Sequence, residues 1–342
     1  MRVLCLRNGW CLYLLCLAVW IGGTAGVLCL AENILPNPKF DEGQNLPTGW
    51  KLVGTNGRRL PNARENQSAL MVQGTGKSQT FWRSEPIVLK ANSLYQLAFF
   101  ARWQRVGTEG AAIAGPSTIN RDFFLTESWA RYGYVFSVPA DDLKDFVRLG
   151  EWRVSGSVYF SDAALSPVVA SFRRIGPEVE LGEGESIQAG TYRFRPKFNG
   201  LSANYHRPLH LNRAAFNTDR WVFYSGSEII YRLGVKGCAQ ARAKVNTTLN
   251  YHSGGSLQVD ASRDRTNWVS VATCDGQRRS AATDLPANLF PADEMFVRLS
   301  CRGTNANLQV NAFEYESRLT KPLPDGEGAT SFADIASGGQ GK

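Results

Sequence analysis

Residues 93–104 read SLYQLAFFARWQ. With the two-residue period of an extended strand, Tyr95, Leu97 and Phe99 fall on one face and Phe100, Arg102 and Gln104 on the other. The first face is apolar enough for a core. The second is aromatic and polar, the character of a surface that meets something. Similar short runs recur as SALMVQG, QTFWRSEPIVL, RYGYVFSVP, DFVRLGEW and GSVYFSDAAL, then as TYRFRPKF, RWVFYSG, EIIYRLGVKG, AKVNTTLNYH, SLQVDAS, WVSVAT, MFVRLSC and NLQVNAFEYES. Gly, Pro, Asn and Asp punctuate them, and few windows carry a helical period, so the chain reads as all-β.

The 342 residues have room for about two domains. A Pro/Gly/Glu-rich stretch beginning at SPVVASFRRIGPEVELGEGES breaks the pattern and puts a boundary near 170–176. FVRLGEWRVSGSVYFSDAAL from Phe146 aligns without a gap on FVRLSCRGTNANLQVNAFEY from Phe296, and LYQLAFFA corresponds more loosely to IYRLGVKG. Two related sandwiches explain this repeat economically. The expected division is a signal peptide over 1–31, a first β-sandwich over 32–170, a second over 177–318 and a disordered tail over 319–342.

The leader rests on Arg2 and Arg7, the apolar run CLYLLCLAVWIGG, and small residues before cuts after Ala25 or Ala31. Its apolar core of about 13 residues is short of the roughly 20 needed to span a bilayer. A secreted or otherwise extracytoplasmic location follows, with no transmembrane segment beyond the signal. The net charge of +8 is spread along the chain, which argues against a nucleic-acid groove and leaves anionic polysaccharide open. Of the seven cysteines, Cys5, Cys11 and Cys16 belong to the leader, and Cys29 depends on the cut. Cys238, Cys274 and Cys301 allow one disulfide in any of three pairings, with one thiol left over.

The stretches NILPNPKFDEG (33–43) with LPTGW, SEPIVLKANSLYQLAFFAR, ESWARYGYVFSVP, and FVRLGEW with GSVYFSDAALSP follow one another as in the jelly-roll carbohydrate-binding modules of the galactose-binding-like superfold. The chain resembles that family over about residues 33–168. The second half resembles discoidin-like domains more distantly, with Arg265 and Thr266 where an Asp-Gly turn is more usual. The resemblance implies two tandem jelly-roll sandwiches. It also implies that Ile34 and Leu35 open an edge strand, that Phe40 plugs the core, and that Asp41 and Asp162 share a structural calcium, a hard cation suited to carboxylate and carbonyl oxygen. Turn and strand-edge acids without a metal are the alternative. Ala312 takes the place of Asp162 in the repeat, so the second domain is expected to lack such a site.

Sugar recognition by a sheet calls for aromatic faces and planar polar groups. The expected ligand residues are Trp82, Phe100, Arg102, Trp103 and Tyr132. Trp103 shares the core-facing parity of Tyr95 and Phe99, and Trp129 is expected in the core or at a sheet rim. Signatures of catalysis fail. QGTGKS lacks the first glycine of a phosphate loop and reads as a turn. Pro208 between His206 and His210 opposes the helix that would align them on zinc. Asp141 with Asp142 and Glu183 with Glu185 are sequence neighbours rather than carboxylates opposed across a cleft. The expected function is non-catalytic carbohydrate binding at an exported sheet face. The alternative is an envelope or matrix interaction scaffold.

Overall fold

In the computed structural model, which describes residues 33–335, the chain is built of strands, several with alternating buried and exposed residues and others buried along most of their length. The first unit contains β1 (Trp50–Val53), β2 (Gly57–Arg64), β3 (Gln67–Thr75), β4 (Gln79–Ser84), β5 (Ile87–Leu89) and β6 (Leu94–Arg105). It continues with β7 (Ala111–Pro116), β8 (Ile119–Phe123), β9 (Ala130–Ser137), β10 (Leu143–Asp145), β11 (Val147–Trp152) and the long β12 (Ser155–Arg174). The second unit opens with β13 (Glu180–Leu181), β14 (Glu185–Gln188), β15 (Thr191–Phe194), β16 (Leu209–Arg213), β17 (Ala215–Asn217), β18 (Arg220–Tyr224) and β19 (Glu228–Leu233). It closes with β20 (Gln240–His252), β21 (Ser256–Ser262), β22 (Val269–Cys274), β23 (Ser280–Asp284), β24 (Met295–Arg302), β25 (Asn307–Leu319) and β26 (Gly326–Glu327), after which β27 (Thr330–Asp334) returns to pair with β12 of the first unit.

Each unit is a two-layer jelly-roll sandwich. In the first, the sheet β1-β4-β11-β7-β8 faces β2-β3-β12-β6-β9. In the second, β16-β19-β24-β21-β22 faces a sheet whose central order is β17-β18-β25-β20-β23. The two orders correspond strand for strand, so the repeat extends from sequence to topology. Its register agrees as well: Leu149 pairs with Trp82, and Leu299, 150 positions on, pairs with Ile229. Even the irregularity is shared, since the pairing slips between Ser161 and Ala164 on β12 and near Val310 and Ala312 on β25. The looser correspondence does not hold. LYQLAFFA lies on β6, whose counterpart is β20, whereas IYRLGVKG begins on β19, the counterpart of β4.

The two sandwiches are docked edge to edge. β8 and β17 pair in parallel, Ile119 with Phe216 and Asn120 with Asn217, and this joins one layer of each unit into a 13-stranded sheet. Ile119 and Phe216 are both buried in their own cores, so the remaining layer of each unit lies on the same side of that shared sheet. The joined layers are not counterparts. Consequently, at the junction the broad face of β2-β3-β12-β6-β9 and its counterpart in the second unit look out on opposite sides. The seam is also sealed by polar groups. Buried Asn204 accepts a hydrogen bond from the Ser137 amide at 2.8 Å and donates to its carbonyl at 2.9 Å, and the Arg121 guanidinium donates to the carbonyls of Gly200 and Asn199 at 2.6 and 2.7 Å. An apolar core dominated by Phe40, Trp82, Phe99, Phe136 and Phe160 in the first unit and Tyr192, Phe194, Trp221, Tyr231 and Tyr315 in the second supplies most of the driving force, each such ring contributing about 1.5–3 kcal/mol.

Several expectations need correction. Ile34 and Leu35 lie in a loop, with one backbone bond from Ile34 to Leu165 at 3.0 Å. Phe40 and Trp50 do pack, edge to face at 5.3 Å. The tail is not disordered from residue 319: β26 pairs with β14, and β27 pairs with β12 from Phe172 to Val168. Pro322, Pro324 and Gly328 lie outside these short strands, whereas Gly326 and Ser331 lie within them. The three described cysteines are buried and free. Cys274 and Cys301 flank Leu257 on its two neighbouring strands, about 9–10 Å apart, too far for a disulfide. The leader lies outside the described residues. Among those described, no helix is long and apolar enough to cross a membrane.

Candidate functional site

The outer face of β2-β3-β12-β6-β9 is built by the parity of β6. Tyr95, Leu97, Phe99, Ala101 and Trp103 turn inward and are buried, which leaves Phe100, Arg102 and Gln104 outward. β12 lies alongside with Tyr159 opposite Arg102, Ser157 opposite Gln104 and Ser161 opposite Phe100. Just before β9, Trp129 shares the outward parity of Arg131, the partner of Phe100.

These residues form a platform. The Arg102 guanidinium carbon stands 4.3 Å from the Tyr159 ring centre and 5.4 Å from that of Trp129, and the two rings are 6.4 Å apart at 69°. The Tyr159 hydroxyl donates to Gln104 Oε1 at 2.9 Å. All of Trp129, Tyr159 and Arg102 are half-buried, and Arg102 Nε has no hydrogen-bond partner. Farther along the face, the Arg64 guanidinium carbon stands 3.7 Å from the Phe100 ring centre, and Arg64 donates to Gln67 Oε1 at 2.6 Å. Arginine over an aromatic ring also occurs on the opposite layer, with Arg83 on Phe146 and Arg148 on Phe81. Two rings flanking one guanidinium, with an amide beside them, distinguish the β6–β12 face.

The structure divides the expected ligand residues. Phe100 and Arg102 lie on the platform. Trp82 does not: it is 0% exposed between the layers, with Nε1 donating to the Met71 carbonyl at 3.1 Å, because Thr80, Trp82 and Ser84 form the inward row of β4. Trp103, 4% exposed, is likewise inward and is covered by Arg105 at 3.8 Å. Tyr132 belongs to the core rim. Its ring stacks on Phe99 at 6.2 Å and its hydroxyl accepts the Thr126 amide at 2.9 Å, bracing the loop that carries Trp129. Trp129, expected in the core or at a sheet rim, is half-buried just before β9, and Tyr159 is a platform residue that the sequence reading does not name; the strand parity that exposes Arg102 finds Tyr159 once β12 is paired with β6.

The region around Asp41 and Asp162 does not fit calcium. Arg59 directs one terminal nitrogen to the carbonyls of Gly43 and Gln44 at 2.5 and 3.4 Å and the other to that of Asp41 at 2.6 Å. Arg64 pairs with Asp162 at 3.4 Å. A guanidinium thus already meets the oxygens that a hard cation would need, and among the described residues no group of three His, Cys, Asp or Glu side chains is arranged to hold a metal. Asp162 instead occupies the slipped register of β12 at φ 50°, a conformation Asp tolerates.

Other groups singled out in the sequence have structural partners. Glu185 is fully buried and receives Arg207 through two bonds of 2.6 and 2.5 Å and the Tyr192 hydroxyl at 2.7 Å. Asp142 accepts the Ala91 amide, and Glu183 accepts the Ser202 hydroxyl. His206 is buried between Phe194 and Phe198, whereas His210 is exposed on β16. QGTGKS is the end of β3 and the turn into β4.

No protein-family model and no curated protein matches the chain. Among solved structures, the chain is similar to the N-terminal CBM22-1-CBM22-2 tandem domain of Paenibacillus barcinonensis Xyn10C, at 11% identity and TM-score 0.34 over 87% of this chain and 100% of that one. A family 16 carbohydrate-binding module matches at 19% identity and TM-score 0.32 over 39% of this chain and 99% of its own. TmCBM61, solved in complex with beta-1,4-galactotriose, matches at 17% identity and TM-score 0.29, covering 40% and 99%. These three neighbours are carbohydrate-binding modules, while the enzymatically active domain of a bacteriophage CBA120 tailspike protein also matches, at 12% identity and TM-score 0.31 over 40% of this chain and 21% of its own. At identities and TM-scores this low, the assignment of fold rests on the strand pairing described above.

Proposed function

We propose that this chain is an exported, non-catalytic glycan-binding protein whose first sandwich receives sugar on the face carrying Trp129, Arg102, Tyr159 and Gln104. The observation that carries the reading is the pair of half-buried rings flanking Arg102, with Gln104 beside Tyr159. The apolar face of a pyranose stacks on such rings, while the guanidinium and amide offer planar hydrogen bonds to its hydroxyls. A shallow face buries little apolar area, so binding is weak and reversible. The carboxylates and histidines described above are engaged in packing, turns and ion pairs, which leaves chemistry without an obvious agent.

The test is a panel of neutral polysaccharides with Arg102→Ala and Tyr159→Ala. Each variant is expected to lose at least about tenfold in affinity, as removal of an interface anchor does, with an unchanged melting temperature. Full binding by both variants would overturn the reading. The scaffold alternative draws on the groove between the units, where Val88, Val169 and Ile335 are exposed. It gains weight if no glycan binds at all.

A further inference from the structure

A second cavity, of 950 Å³, lies at the end of the five-stranded sheet of the second unit, far in sequence from the platform. β16 contributes His210, the end of β19 contributes Arg232, the following turn contributes Lys236, and the loop after β21 contributes Arg263. Its remaining charged lining is Arg207, Asp293 and Glu294. Of the two lining acids Glu294 is paired, and exposed Asp293 has no ion pair among the described residues, so it offsets one of the cations. Arg232 forms an ion pair with Glu294, and Arg207 is held by buried Glu185. Lys236 and Arg263 are exposed and form no ion pair among the described residues, so they remain to meet a ligand. Just outside the lining, Arg265 donates to His210 Nε2 at 2.8 Å, adding a further cation and fixing the imidazole as an acceptor on that nitrogen.

From this surplus of positive charge converging on one concavity we propose a binding site for the carboxylate or sulfate of an acidic polysaccharide, with Lys236 and Arg263 as the residues that meet the anion. The size suits one or two sugar rings, since ligand clefts run to about 300–1,000 Å³. Pro208, Leu209, Val235 and Ala292 offer aliphatic surface to sugar carbons, and the single aromatic ring in the lining, His210, is too little for a run of stacked bases. The cations also surround a pocket rather than following a line, unlike a track for a phosphate backbone. Neutral sugar at the first sandwich and acidic sugar at the second are separate sites, and each can fail without the other.

The test uses the full mature chain with polygalacturonate, dextran sulfate and uncharged dextran at low and raised salt, and with the double variant Lys236→Ala/Arg263→Ala. Both side chains are exposed, so folding should be retained, as an unchanged melting temperature would verify. The expected result is retention by at least one of the two polyanions and not by dextran, weakening as salt rises, with about a tenfold loss in the double variant. Polygalacturonate alone would assign carboxylate, and dextran sulfate alone would assign sulfate. Equal binding by variant and parent, no binding of either polyanion, or stronger competition by duplex DNA than by either polysaccharide would overturn the assignment. Loss of neutral-glycan binding in Arg102→Ala should leave polyanion binding intact.

Discussion

The two sandwiches share a topology and a register but carry different side chains on it. Where β12 places Tyr159 opposite Arg102, β25 places Gln309 opposite Tyr251, and where the first core holds Trp82, the second holds Ile229. The bulge that bears Asp162 in one unit is followed by Ala312 in the other. A backbone plan is therefore conserved between the halves while the outward rows are free to vary. Sheet pairing is satisfied by main-chain groups, and only inward parity has to remain apolar.

Core substitution should separate the halves most strongly. Trp82→Ala removes a fully buried ring and its hydrogen bond to Met71, for a loss of about 3–5 kcal/mol, and Ile229→Ala removes a smaller chain at the matching place, for about 2–4 kcal/mol. Because Asn204, Arg121 and the β8–β17 pair tie the units together, denaturant unfolding of each variant should remain a single transition. Two resolved transitions would break the picture of docked sandwiches.

Acid should distinguish the halves next. All three histidines lie in the second unit. Burial lowers the His206 pKa to about 3 from 6.5, and a weak interaction with the Lys197 backbone opposes the shift without cancelling it. The unfolded chain then binds the proton more readily than the folded one, so stability is complete above pH 6.5 and declines as pH falls toward 3. About 2 kcal/mol should be lost between pH 7 and pH 5, and His206→Leu should flatten that slope. An unchanged slope in the variant would move the acid sensitivity elsewhere.

The smallest effect concerns the loop around Asp41, which has no cationic demand left once Arg59 is in place. Chelator should leave the melting temperature of the parent protein unchanged, and Arg59→Met should lower stability by about 1 kcal/mol through loss of its carbonyl contacts. A chelator-induced drop in the parent would show that a metal competes with Arg59 for those oxygens.

The sequence made the strands legible because burial on one side of each imposes alternation, and the 150-residue repeat made the second sandwich legible from the first. Arg102 and Phe100 were readable from parity within β6 alone. Aromatic character does not report direction: parity within β6 already pointed Trp103 inward beside Tyr95 and Phe99, and for Trp82 parity with Thr80 and Ser84 decides. Trp129 and Tyr159 required knowing which segments meet across β6, a nonlocal fact. The tail failed for a related reason. Short Gly- and Ser-rich strands have little propensity of their own, and β27 is specified by the partner edge that β12 offers it.

β12 also gathers the two ends of the described residues. The Ile34 amide reaches Leu165 and the Ile335 amide reaches Pro167, so two ends separated by some three hundred residues emerge side by side. Tension applied between them would enter at that one spot and peel β27 away pair by pair, starting at Asp334 and Val168. Mechanical load would therefore be spent on a peripheral ribbon before it strained either hydrophobic interior.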